Sequence, residues 1–459
     1  MQDNQIQQLL DEAAASLGIV GAQCAIADGS GVREFATGMR NSELRLPVTP
    51  QTVFQIGSTT KVFNAALVMA MVDERLLDLD TPVINYIPSF RLASLEAQQT
   101  ITLRHLLSMT AGIDNGTYHD YGRGDDALGR YVEALAGVTH LFGAGSAYGY
   151  SNASTNVAGH AASLIGKDAW EKLLAKYVLQ PLGLQNSALF AEDLLHHPVA
   201  MGYQREDKTA PAERVPGWAL PRSMGPAGGS LCLSAGDLAR FGKMFVDGGR
   251  SRSTGTQVLS GASVMAMQTP EVVLRSRLMA DEWCVGPYRK EWDGVKLFGH
   301  SGTNVGGSST LLWCPERDFA IATVVNVANQ GYPLAQAMFA AVLPALFGIT
   351  PPALPDLKTQ ATAVADPMRY VGRYEALGIT LRVEDRDGVL VIVEDNDVAR
   401  IYDMAPVIES ELVPLGEDRF LPKNPIFSGN RIWDIAFWDA DKTGRPTHCL
   451  NGLFAYRRT

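Results

Sequence analysis

Val53-Phe54-Gln55-Ile56-Gly57-Ser58-Thr59-Thr60-Lys61 is the stretch on which the fold turns. A short apolar run ends at Gly57, and an apolar helical pattern continues over residues 62–77. Ser58 and Lys61 stand three residues apart at its start, so hydroxyl and amine share one face, one turn apart. A serine hydroxyl is a weak nucleophile until a base takes its proton. Here the base lies on the same helix, whose N-terminus favours negative charge developing beside the serine. The same residues also suit an ordinary helix start, with serine as cap and lysine in water. The rest of the chain decides between the two.

Upstream, residues 19–27 and 32–37 read as strands joined by Asp28-Gly29-Ser30-Gly31, a hairpin signal. Before them Ile6, Leu9, Leu10, Ala13, Ala14 and Leu17 fall on one face of a helix ending at Gly18. Downstream, residues 58–245 are helix-rich. Residues 295–298, 308–313 and 320–325 then read as strands, and 334–347 as a helix. Two strands early and three late predict one antiparallel sheet built from both ends and flanked by helices. That is an α/β arrangement with an antiparallel sheet, rather than alternating βαβ units.

Thr350-Pro351-Pro352-Ala353-Leu354-Pro355 reads as a linker. Beyond it residues 379–383 alternate, Asp387-Gly388 signals a hairpin, and 389–393, 401–404, 411–414, 431–438 and 452–456 are short β-like pieces. The predicted organisation is a catalytic domain over 1–348, a Pro-rich linker over 349–365, and a smaller all-β barrel over 366–459.

Composition narrows the function. The 459 residues are 46% hydrophobic and 19% charged, ordinary for a globular chain with a sizeable core. A net charge of −10 argues against nucleic acid and anionic membrane surfaces as partners. The polar N-terminus does not resemble a signal peptide, and no apolar run is long enough to span a bilayer. The five cysteines, Cys24, Cys232, Cys284, Cys314 and Cys449, are scattered and lack a CxxC. No disulfide framework, metal site or cofactor is expected, and the reading is a reduced, cytoplasmic protein.

Two further motifs stand out. Tyr150-Ser151-Asn152 follows a glycine-rich loop, and His300-Ser301-Gly302 precedes the strand at 308. Each pattern, like Ser58-x-x-Lys61, occurs once in the chain. In this order they resemble the penicillin-recognising serine hydrolases: class C β-lactamases, DD-peptidases, D-aminopeptidases and related esterases. Supporting segments are Arg104-His105-Leu106-Leu107-Ser108-Met109-Thr110-Ala111-Gly112, Pro181-Leu182-Gly183-Leu184, and Gly228-Gly229-Ser230-Leu231 with 234–241. The resemblance implies that Ser58 forms an acyl-enzyme, that Lys61 and Tyr150 move its proton, and that Asn152 holds a substrate carbonyl. It also implies an oxyanion hole from the N–H groups of Ser58 and Thr303, next to Gly302, and a β-lactamase-like α/β fold with a helical subdomain.

The chain departs from the family at three points. His300 replaces the lysine of Lys-Thr-Gly, and with it the fixed cation that faces a penicillin carboxylate. Ala144 stands where a proline is usual, and Tyr148 precedes Tyr150 but has no asparagine two residues on. Lys442-Thr443-Gly444 matches Lys-Thr-Gly literally, yet it lies in turn composition with too little chain after it. The resemblance therefore points to a peptidase or amidase on short linear peptides or amino-acid amides, with D- or unusual residues, and weak action on β-lactams. An esterase or acyltransferase using the same residues, or an inactive binding protein, are the alternatives. The C-terminal barrel resembles lipocalin-like domains attached to some relatives, which implies that it can wall the cleft, limit substrate size or support a homo-oligomer.

Overall fold

The computed structural model describes residues 1–205, 210–357, 359–396, 407–424 and 433–459. Its central sheet has nine strands. In spatial order they are Leu46–Pro47, Gly31–Asn41, Gly21–Asp28, Phe319–Val325, Gly307–Cys314, Val295–Asn304, Tyr288–Trp292, Glu282–Trp283 and Val272–Val273. Neighbours pair antiparallel, and the first and last segments of this part meet where Cys24 opposes Thr323. The predicted two-early, three-late sheet is present. It extends further at one edge through Tyr288–Trp292, Glu282–Trp283 and Val272–Val273 and at the other through Leu46–Pro47, strands of two to five residues that are too short for a clear alternation.

Side chains alternate across the central strands. Ala25, Leu311 and Trp313 join the core against helices Thr60–Asp73 and Ala235–Val246. Cys24, Ile26 and Leu312 join the other core, against helices Asp3–Ser16 and Gly331–Phe347. A sheet covered on both faces explains why its central strands read as near-continuous apolar runs.

The helix after Ser58 ends at Asp73, not at 77 as the apolar pattern predicts. Arg75 takes φ +59°, which breaks the helical hydrogen-bond ladder, and Leu77 folds back into the core from outside the helix. The strand read as 295–298 instead continues to Asn304 and carries the whole His300 motif.

The C-terminal strands form a closed eight-stranded barrel, shut by the pairing of Tyr374 with Arg458. Leu381, Val383, Leu390, Ile392, Phe420, Phe437 and Tyr456 fill it, as expected for a barrel too narrow for a channel. Residues 401–404, read as a strand, lie outside the described residues, as do the first two positions of 431–438. Lys442-Thr443-Gly444 lies in the turn between strands Ile435–Ala440 and Pro446–Asn451.

One barrel carboxyl makes a testable difference to stability. Glu394 is buried and accepts from Asn396 Nδ2 at 2.7 Å and Asn451 Nδ2 at 3.0 Å. Burial pushes its pKa up to about 7 against those two hydrogen bonds. Folded Glu394 therefore holds a proton that the unfolded chain, titrating near ~4.3, has lost. Its stabilising protonated form is complete below the unfolded value and is lost as pH rises through about 7. Asn451 Oδ1 is buried with no hydrogen-bond partner among the described residues, so a neutral partner fits better. Glu394→Gln is expected to melt higher than the parent at pH 8 and alike at pH 5, followed by scanning calorimetry. An unchanged pH slope would contradict this.

Candidate active site

Ser58 sits in a 3₁₀ turn, Gly57–Thr59, that feeds helix Thr60–Asp73. It therefore precedes the α-helix rather than opening it. Gly57 takes φ +53°, a conformation cheap for glycine. A Cβ there would meet the Thr303 carbonyl oxygen at 2.5 Å and its nitrogen at 2.8 Å. From the facing strand, a Cβ on Gly302 would lie 1.9 Å from the Ile56 oxygen and 2.7 Å from the Ser58 nitrogen. A Cβ on Gly228 would meet that same Ser58 nitrogen at 2.8 Å. Three glycines thus let three backbones converge on the serine. Ser309 Oγ fixes the turn from below by donating to the Ile56 oxygen at 2.7 Å.

Lys61 is 1% exposed. Its Nζ lies 3.1 Å from Ser58 Oγ and donates to the Ala227 oxygen at 2.6 Å. Burial holds the ammonium well below the ordinary lysine range. A neutral amine keeps one N–H on Ala227 and turns its lone pair to the Ser58 hydroxyl. Ala227 is itself anchored, its N–H donating to Asn156 Oδ1 at 3.1 Å.

Tyr150 completes the group. Lys61 Nζ lies 4.9 Å from its ring centroid. Trp283 and Phe454 meet the ring edge-to-face at 5.9 and 5.7 Å. Its backbone N–H donates to the Leu453 oxygen at 3.0 Å, so the barrel's last hairpin holds the tyrosine from outside the α/β part. Ser151 caps the next helix, Asn152–Gly166, accepting from Ser154 N at 3.0 Å. Asn152 is therefore the first residue of a helix, and its Nδ2 donates to Tyr118 Oη at 3.1 Å.

His300 is 1% exposed and lies among Trp283, Tyr288 and Tyr150, with ring centroids 5.5–6.2 Å away. Its Nδ1 is 2.8 Å from the Ser301 oxygen. A carbonyl can only accept, which assigns the proton of the neutral ring to Nδ1 and leaves the Nε2 lone pair. Thr303 lies on the same strand, its backbone against the Gly57 turn.

Ser58, Lys61, Tyr150, Asn152, His300, Gly302 and Thr303 thus come from three segments of chain onto one site. The sequence reading missed Ala227, Tyr118, Trp283, Leu453 and Phe454. Gly228-Gly229 flagged the segment next to Ala227, but nothing in the sequence marks a barrel hairpin as part of this site.

This fold and this convergence of Ser-x-x-Lys, Tyr-x-Asn and His-x-Gly define a β-lactamase-fold serine hydrolase. The chain belongs to the Beta-lactamase family, whose pattern matches residues 6–343. It is 35% identical to Penicillin-binding protein 4 of Amycolatopsis lactamdurans, over 70% of this chain and 84% of that protein. Among solved structures, SurE superposes with a TM-score of 0.80 at 26% identity, covering 100% of this chain and 99% of that one. SurE with D-Leu gives 0.76 at the same identity and coverage. The octameric penicillin-binding protein homologue from Pyrococcus abyssi shares the fold, with a TM-score of 0.66 and 24% identity over 100% of this chain and 99% of that chain. Among the described residues, no helix is long and apolar enough to cross a membrane.

Proposed function

We propose that this protein is an acyl-enzyme hydrolase of short linear peptides or amino-acid amides with a D-residue at the scissile bond. Neutral Lys61, with Tyr150, takes the Ser58 hydroxyl proton as Oγ attacks the amide carbonyl. The negative charge on the carbonyl oxygen goes to the N–H groups of Ser58 and Thr303, on the two backbones the glycines bring together. Asn152 Nδ2 exchanges Tyr118 Oη for the substrate's acyl-side carbonyl. The proton held by Tyr150 and Lys61 then passes to the leaving amine as the C–N bond breaks. Water reverses the sequence and frees the acid.

The observation that carries this reading is buried Lys61 3.1 Å from Ser58 Oγ, with burial favouring its neutral form. The D-preference is supported by the full-length similarity to SurE, a protein solved with D-Leu. Two features favour small amides over penicillins. His300 puts an imidazole where β-lactam-binding relatives hold a fixed cation, and its Nδ1 proton is turned to backbone. The Leu453–Phe454 hairpin stands against Tyr150 and favours short substrates.

A panel of paired D- and L-amino-acid amides, dipeptides and linear peptides, read by mass spectrometry, tests it. The expected result is hydrolysis with at least about tenfold preference for the D member, the size one apolar group in a pocket supplies. Turnover of L substrates alone, or of esters without any amide, would contradict it.

A further inference from the structure

Asn152 can hold a substrate carbonyl only if the start of helix Asn152–Gly166 is fixed, because the first N–H groups of a helix have no partner within it. Two residues from a distant loop supply those partners. Asn115 Oδ1 accepts from Asn152 N at 3.0 Å, and the Asn115 carbonyl accepts from Ala153 N at 3.1 Å. The Asp114 carbonyl accepts from Ser151 Oγ at 3.1 Å. Residues 114 and 115 thus bracket the end of the helix that carries the Tyr-x-Asn motif.

The Asp114 side chain ties this bracket to the barrel. It is 3% exposed. One carboxylate oxygen accepts from Asn115 N at 2.6 Å. The other accepts at 2.6 Å from the N–H of Leu377, on the barrel turn between strands Gly372–Ala376 and Ile379–Arg386. Among the described residues no lysine or arginine pairs with it, and burial pushes its pKa up to about 6. A buried carboxylate without a cation is costly to keep for packing alone.

We propose that Asp114 is a positioning residue through which the barrel sets the carbonyl-binding side of the site. Leu377 holds Asp114, Asp114 and Asn115 hold the helix start, and the helix start presents Asn152. This role rests on the reaction proposed above and adds a dependence on the barrel. Loss of the tether weakens substrate binding while leaving Ser58 and Lys61 untouched, since neither contacts the bracket.

The tether can be cut from either end. Asp114→Ala removes the acceptor. Leu377→Pro removes the donor and spares the turn: Leu377 is its first central residue and Gly378, at φ +73°, its second, an arrangement in which proline fits the first position. Both single variants and the double are compared with the parent in the full-length chain. Hydrogen–deuterium exchange of the peptide covering 151–160 is expected to quicken in Leu377→Pro, although the change lies in the barrel. KM for the amide substrate is expected to rise about tenfold in each single variant, the worth of one charge-assisted hydrogen bond. The rate of Ser58 labelling by a small fluorophosphonate should stay within about twofold, and the double should be no worse than either single. Unchanged exchange at 151–160 in Leu377→Pro would overturn the role, as would effects that multiply in the double or labelling that slows in step with KM. Exchange is read without substrate. If no amide is turned over, the hydrolase reading fails while the tether is still decided.

Discussion

Replacing Ser58 by alanine is expected to lower kcat by on the order of 10⁶-fold, and Lys61→Met should cost nearly as much, because groups that act as a unit fail together. The structural reason is the isolation of the pair. Lys61 is 1% exposed, and its Nζ is shared between Ser58 Oγ at 3.1 Å and the Ala227 carbonyl at 2.6 Å. Methionine keeps the length of the stem and the packing of helix Thr60–Asp73, so Lys61→Met should fold. The double variant Ser58→Ala, Lys61→Met should be no slower than Ser58→Ala. Single-turnover kinetics with the best amide of the panel measures all three. A Lys61→Met enzyme within about tenfold of the parent would remove the lysine from the proton route.

The second large effect is expected from the smallest change, Gly302→Ala. The added Cβ would meet the Ile56 oxygen at 1.9 Å and the Ser58 nitrogen at 2.7 Å, both backbone atoms without rotamers to yield. The strand Val295–Asn304 must then part from the Gly57–Thr59 turn. That separation pulls the N–H groups of Ser58 and Thr303 away from a common point. Losing one oxyanion donor typically costs ~10²–10³ in rate. Gly302→Ala is therefore expected to lose at least about that much in kcat while keeping its overall secondary structure. Ser301→Ala, the next residue on the same strand, adds no atom and serves as the control. Steady-state kinetics with circular dichroism distinguishes the outcomes. Parent-like kcat in Gly302→Ala would show that the backbone contact is not needed for catalysis.

The candidate site residues were more legible in the sequence than the geometry around them. Ser58, Lys61, Tyr150, Asn152 and His300 announce themselves through short spacings, each pattern being unique in the chain. The central strands were readable because both faces are buried. The helix end was not, because Arg75 adopts φ +59° without the glycine that normally signals such a turn. The edge strands Val272–Val273 and Glu282–Trp283 are two residues each, too short for a period to appear. Least legible were the contacts between the α/β part and the barrel. The Asp114–Leu377 bond joins residues 263 positions apart through a backbone N–H, and Leu453 meets Tyr150 through its carbonyl. Backbone partners leave no trace in side-chain identity, so only the three-dimensional structure reveals them.

The central claim, that Ser58 is a nucleophile activated by buried Lys61, is tested most directly by intact-mass spectrometry after exposure to a fluorophosphonate, followed by peptide mapping. The expected result is a single adduct on the peptide containing Ser58, formed faster as pH rises while Lys61 gives up its proton, and absent in Ser58→Ala. No adduct across that pH range, or one that persists in Ser58→Ala, would contradict it.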